Sequence, residues 1–221
     1  YVSLKRESFD HDLQYADAIA MLKRLGEVAS NEGRSFGVKL TNTLGSVNDK
    51  GVLPGDEMYM SGRALFPLSI SLAAKLSEEF DGRLPISYSG GITLHNVREV
   101  FETGIRPVTV ATDMLKPGGY LRIAQLAEVL EGSDAWDMEA IDVEKLKALA
   151  EDSLRADYSR KDFRGKDEVR IDGKLPLFDC YEAPCITACA ISQDIPEYIR
   201  LAGEGRYAEA LALIYERNAL P

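Results

Sequence analysis

The chain has 221 residues, 45% hydrophobic and 28% charged, the balance of a folded globular protein long enough to bury one or two cores. Its 36 Asp and Glu against 26 Lys and Arg leave a net charge of -10 with no local basic patch, which excludes nucleic acid as an expected partner. No apolar run approaches the roughly 20 residues that cross a bilayer as a helix, and nothing at the start reads as a signal peptide, so no membrane span and a cytoplasmic location are expected. Because the first residue is Tyr1 rather than Met, a piece of a longer polypeptide is also expected.

Residues 12–32 carry Leu13, Ala16, Ile19, Ala20, Leu22 and Leu25 near helical spacing, with Gly33 able to close the helix. The β-rich stretch Phe36 to Thr41 follows, and the Gly, Pro, Asn and Asp of "NTLGSVNDKGVLPGDE" predict a loop. An apolar helix is predicted over Leu65 to Glu79, a strand over Pro85 to Ser89, a helix from about Thr93 to Thr103, a strand over Pro107 to Thr112, and a helix ending at Glu131. Helices alternating with short apolar strands imply parallel strands joined by crossovers, hence an α/β domain over residues 1–131. Beyond Gly132, a charged amphipathic helix and the polar stretch "SRKDFRGKDEVRIDGKLPLFD" read as a helical linker over 132–175. A cysteine-bearing loop and two helices, Pro196 to Gly203 and Arg206 to Asn218, make a third segment over 176–221.

In "YSGGITLHN" a strand ends in Gly90-Gly91 and a helix follows. Glycine lets the backbone approach an anion, and free amides at a helix start favour negative charge. One strand later "VATDMLKPGGY" repeats the arrangement, with Ala111-Thr112 at the strand end and Gly118-Gly119 before the next helix. Loops after the last two strands of a parallel barrel commonly build a phosphate site. The competing reading is that these glycines only make tight turns.

"MSGRALFPLSISLAAKL", "ISYSGGI" and "VTVATDMLKPGGY" resemble the closing strands of the flavin-binding barrel of dihydroorotate dehydrogenases and the matching domain of dihydropyrimidine dehydrogenase. The resemblance implies the C-terminal part of a TIM-like barrel whose Gly90, Gly91, Ala111 and Thr112 hold the phosphate of FMN. It also places Lys39 of "VKLTN" beside the flavin ring, where a positive group stabilises the reduced anionic form, and Asn42 toward the substrate. Ser61 and Gly62 match the loop whose backbone approaches the cofactor. The family's catalytic Cys or Ser has no counterpart before Cys180 beyond Ser46, so the catalytic residue stays unassigned and pyrimidine chemistry is not implied.

All three cysteines fall within ten residues, which does not suit an ordinary disulfide framework and points to metal or redox use. "CYEAPCITACAISQDIPEYI" resembles the iron–sulfur domain shared by the small subunit of glutamate synthase and dihydropyrimidine dehydrogenase. That resemblance makes Cys180, Cys185 and Cys189 ligands of 4Fe-4S clusters, and "QDIPEYI" the helix that follows them. Leu177 stands where the family has a further cysteine, Ala190 where it has proline, and the remaining ligands would lie past residue 221, so the set is incomplete. Zinc needs one more nearby ligand, and His11 and His95 offer no such spacing.

Barrel first and cysteine domain second resembles the large iron–sulfur flavoprotein oxidoreductases named as selenate reductase subunits. The resemblance implies FAD and NAD(P)H in the rest of the polypeptide, with electrons passing through clusters toward the barrel. The rest of that polypeptide, other oxidoreductase subunits and a second copy of the chain are the partners it suggests. The alternative is a barrel without flavin and a helical module serving as a non-catalytic scaffold or docking domain.

Overall fold

The computed structural model describes residues 3, 4, 9–49, 51, 53–160, 163, 165–168, 173–177 and 180–220. The chain divides into two compact units, residues 1–163 and 164–221. Among the described residues, no helix is long and apolar enough to cross a membrane.

The first unit opens with α1, Tyr15–Asn31, which turns Ile19 into the core. Gly33 ends it as expected: at φ 62° its amide reaches Ser30 O at 3.0 Å while Arg34 N reaches Ala29 O at 2.8 Å, the paired bonds of a left-handed helix stop. Three parallel strands follow, β1 (Val38–Leu40), β4 (Ile86–Ser89) and β5 (Val108–Thr109), in the order β1-β4-β5 with Leu40 opposite Tyr88 and Ser89 opposite Thr109. The helices α2 (Phe66–Glu79), α3 (Val97–Phe101) and α4 (Leu121–Leu130) occupy the crossovers and the segment after β5. Leu40, Ile86 and Tyr88 join Phe66, Ile70 and Ala73 of α2 in one core, and each fully buried large side chain contributes about 1.5–3 kcal/mol. Lys39 and Ser87, paired in register, take the other face of the sheet.

Two expectations are corrected. The segment read as loop after β1 contains an antiparallel hairpin, β2 (Leu44–Val47) against β3 (Glu57–Met60). The Asn48 side-chain amide donates to Gly55 O at 2.8 Å, tying the connection across its own turn. Within the hairpin Ser46 is buried and donates its hydroxyl across the strands to Met58 O, its register partner, at 3.1 Å.

The expected linker also divides. Residues up to 163 belong to the first unit, where α5 (Val143–Ser153) buries Leu146 completely in the common core. Backbone contact explains this: Ile141 N donates to Gly82 O at 2.9 Å and Asp142 N to Thr103 O at 2.8 Å. A Cβ on Gly82 would lie 2.2 Å from Ile141 O, and one on Gly104 would lie 2.7 Å from Ala140 O. The two glycines let the chain lie flat on the unit before α5 starts, and Asp142 then caps that helix by accepting from Lys145 N at 2.9 Å.

In the second unit β6 (Lys166–Glu168) pairs in parallel with β7 (Cys180–Glu182), and a short α6 (Pro184–Thr187) leads to α7 (Ile195–Gly203) and α8 (Tyr207–Tyr215). Asp194 caps α7 from its side chain, Pro196 occupies the first turn, and Gly205 at φ 76° ends it. Leu201 and Ala210 are the buried contacts of the α7–α8 pair.

Candidate functional site

A cavity of about 180 Å³ opens where the chain leaves β1, β3, β4 and β5. Asn42, Ser61, Gly62, Gly90, Gly91, Ala111 and Thr112 all line it, so every barrel residue nominated from the sequence meets there except Lys39. Thr41, Ser89 and Thr109 add hydroxyl-bearing side chains that the sequence did not single out. Among the described residues, no charged side chain lines it.

Glycine is required here by packing. Gly62 has φ 69° and its hypothetical Cβ would meet Thr112 Cγ2 at 3.0 Å; Gly91 has φ 81° and its Cβ would meet Gly62 O at 2.5 Å. At Gly90, with φ 136°, a Cβ would fall 2.5 Å from Ser69 Oγ. The side-chain positions of Gly90 and Gly91 are therefore filled by protein and that of Gly62 is closely approached, which lets three loops draw together around the cavity.

The donors differ from those expected. The helix begins at Val97, not near Thr93, and its approach is internally capped: Thr93 N donates to Asn96 Oδ1 at 2.9 Å and His95 N to Thr93 Oγ1 at 3.2 Å. The amides that lead into the helix are thus bonded to the turn's own side chains, and Val97 N donates to Thr93 O at 3.0 Å. Gly118 and Gly119 turn the chain toward α4 without lining the cavity.

Open donors lie one step earlier, in the glycine turn. Tyr88 donates its hydroxyl to Gly90 O at 3.2 Å, and Asn96 donates Nδ2 to Gly91 O at 3.0 Å. Both donors are fully buried, and burial pushes the Tyr88 hydroxyl far above its ordinary range, so it stays a neutral donor. Among the described residues, neither Gly91 N nor Ile92 N donates to a protein acceptor. Thr41 and Ser69 share a hydroxyl contact of 2.6 Å under the same turn, and Thr41 N donates to Ser89 O.

Beside the turn, His95 stacks on Tyr158 with ring centroids 5.2 Å apart and meets Phe163 edge-on at 5.6 Å. Arg63, next to Gly62, lies 5.3 Å over the Phe163 ring and donates to its carbonyl. Asp113 forms a largely buried ion pair with Lys116 at 2.6 Å.

In the second unit Cys180 and Cys189 are half-buried, Cys185 is exposed, and all three are free thiols. Hydrogen bonds from the backbone of Gln193, then Ile191 and Ser192, hold the Cys189 thiol below its ordinary pKa. Ser192 takes φ 50° in this turn, and Gln193, itself buried, anchors it by donating Nε2 to Leu213 O at 3.2 Å. Among the described residues, no three His, Cys, Asp or Glu side chains converge as a metal site. Amide donors around one sulfur suit a cluster thiolate, and three thiolates fall short of the four that a 4Fe-4S cluster takes.

Residues 177–221 match the family model described as dihydropyrimidine dehydrogenase domain II, 4Fe-4S cluster. Over all 221 residues the chain is 61% identical to the YgfK proteins of Escherichia coli strain K12 and Escherichia coli O157:H7, and it spans 21% of their length. The crystal structure of ligand-free dihydroorotate dehydrogenase from Eimeria tenella is 23% identical, with a TM-score of 0.40 over 60% of this chain and 37% of that one. Residues 1–161 match the model described as oxidoreductase YgfK, N-terminal TIM-barrel domain. The expected order, a TIM-barrel-like α/β domain followed by a helical iron–sulfur segment, therefore holds. With nearly three quarters of its length inside that first model, the chain belongs to the YgfK oxidoreductase N-terminal domain family.

Proposed function

We propose that the cavity of the first unit receives the phosphate end of FMN, and that the second unit supplies thiolates to 4Fe-4S clusters completed by other residues of a longer polypeptide. In that polypeptide electrons pass from NAD(P)H through FAD and the clusters to the barrel-bound flavin or another acceptor. The observation that carries the reading is the glycine turn, where among the described residues Gly91 N and Ile92 N have no protein acceptor, beside a cavity rich in hydroxyl side chains.

A cavity of about 180 Å³ lies below the ~300–1,000 Å³ of a site enclosing a whole drug-sized ligand, so it suits one end of the cofactor. The amides of Gly91 and Ile92 and the hydroxyls of Ser61 and Thr112 would bind the phosphate, with Asn42 at the rim. Lys39 would work from the sheet face that it shares with Ser87. FMN supplies one- and two-electron redox chemistry when bound, while the chain's own part is to hold it and to fix its orientation. Cys180, Cys185 and Cys189 would ligate iron as thiolates, and the amides after Cys189 would stabilise charge on its sulfur.

Released flavin and iron, measured on anaerobically purified full-length protein, test this. FMN together with FAD and iron is the expected result, and Thr112→Val should lower the FMN content alone. Iron and FAD without FMN would remove the barrel from the electron path. One observation favours that scaffold reading: Gly62, Gly90 and Gly91 all have positive φ, and a Cβ on Gly90 or Gly91 would lie 2.5 Å from another protein atom, so the fold itself requires these glycines.

A further inference from the structure

We infer that Asn96 and Tyr88 are positioning residues for the anion site, two buried donors that hold the carbonyls of the glycine turn inward and so aim the amides of Gly91 and Ile92 at the bound phosphate. This rests on the phosphate reading above and adds residues that never touch the ligand. Gly90–Gly91 and Gly91–Ile92 are trans peptides, so each carbonyl and the following N–H point to opposite sides of one plane. Tyr88 holds Gly90 O at 3.2 Å, which turns Gly91 N outward; Asn96 holds Gly91 O at 3.0 Å, which turns Ile92 N outward.

Both residues are suited to this. Asn96 is fully buried and works at both ends, accepting from Thr93 N at 2.9 Å while donating to Gly91 O, so its amide is fixed in one orientation. Tyr88 is a strand residue whose ring packs edge-on to Phe66 at 6.2 Å, leaving its hydroxyl at the turn. Without the two donors, Gly90 and Gly91 have the φ freedom to rotate their peptides, because glycine permits both orientations. Thr41 and Ser69 close the same turn from below through their 2.6 Å contact and leave the two carbonyls untouched.

The test compares FMN with riboflavin, which lacks the phosphate, by flavin fluorescence titration of deflavinated full-length protein. Asn96→Asp keeps the acceptor for Thr93 N and loses the donor to Gly91 O; Tyr88→Phe removes only the hydroxyl. Two amides bonded to a charged phosphate are worth on the order of a hundredfold, so wild type should prefer FMN by about that ratio. Each variant should cut the preference about tenfold while riboflavin affinity stays within about twofold. Loss of both flavins to the same degree, or an unchanged preference in both variants, overturns the inference and leaves the phosphate site standing. A wild-type preference near one overturns the phosphate reading and this inference with it. Tyr88→Phe keeps the test decisive should Asn96→Asp fail to fold.

Discussion

Replacing Gly91 by alanine measures how tightly the loops around the cavity constrain one another. The added Cβ would sit 2.5 Å from Gly62 O and 3.0 Å from both Arg63 Cα and Phe66 Cβ, with the backbone at φ 81°. Positive φ costs an L-residue about 1–2 kcal/mol, and overpacking against atoms that cannot move aside adds about 1–3 kcal/mol. Gly33→Ala separates the two contributions, because Gly33 has φ 62° and nothing within 4 Å of its Cβ position. With a urea m-value of about 2 kcal/mol/M, Gly33→Ala should lower the unfolding midpoint by about 0.5–1 M and Gly91→Ala by about 1–2.5 M. The single tryptophan, Trp136, packs against Phe101 at 4.6 Å inside the first unit, so its fluorescence reports that unit alone. Equal shifts for the two variants would mean that the Gly62–Gly91 approach constrains nothing, and the account of the cavity as a product of glycine contacts would fall.

Leu146→Ala should destabilise the first unit by about 2–5 kcal/mol in the same assay, since the side chain is fully buried in the common core; a change under about 0.5 kcal/mol would return α5 to the status of a linker. Burial, reinforced by Glu99, pushes the Tyr158 hydroxyl up to about 12 from its ordinary 10.0. The unfolded chain therefore releases that proton first, and stability should fall as pH rises from 10 toward 12; Tyr158→Phe should flatten the fall, and an identical profile would refute it. Iron content per chain should drop in Cys189→Ser full-length protein and rise in Leu177→Cys, and a Leu177→Cys protein with no added iron would show that position 177 is not a ligand position.

The helices were legible because each satisfies several local rules together. In α1 the apolar spacing agrees with a Gly33 stop, and in α7 the Asp194 cap agrees with Pro196 and Gly205. The β2–β3 hairpin was not, because Gly45 and Ser46 have weak strand preference and only cross-strand pairing with Met58 and Tyr59 recruits them. In α5 charged residues surround Leu146 and Leu149, and burial depends on chain contact at Gly82 and Gly104, which no local pattern announces. At the cavity the glycine pair stood out in the sequence. Tyr88 and Asn96 did not, since a tyrosine in a strand and an asparagine before a helix are ordinary there, and their reach to two carbonyls exists only in the folded turn.

An acidic chain proposed to bind anions faces an electrostatic problem, and both candidate sites offer the same answer to it. With a net charge of -10, the long-range field opposes a phosphate or an anionic cluster. Cationic side chains are the usual remedy, yet among the described residues none lines the cavity, and Arg63 beside it is engaged with Phe163. Peptide amides carry the partial positive charge instead: Gly91 and Ile92 at the glycine turn, and Ile191, Ser192 and Gln193 around Cys189. In each case a buried side chain fixes the backbone, Asn96 in one unit and Gln193 in the other. Fixed dipoles bring no mobile charge, and their field falls off quickly with distance. Binding should therefore depend little on ionic strength, whereas a site built on lysine and arginine would weaken steeply with salt. FMN titrations at 0.05 and 0.5 M sodium chloride should give dissociation constants within about threefold of each other, and a tenfold or greater loss at high salt would show that cations outside the cavity hold the phosphate.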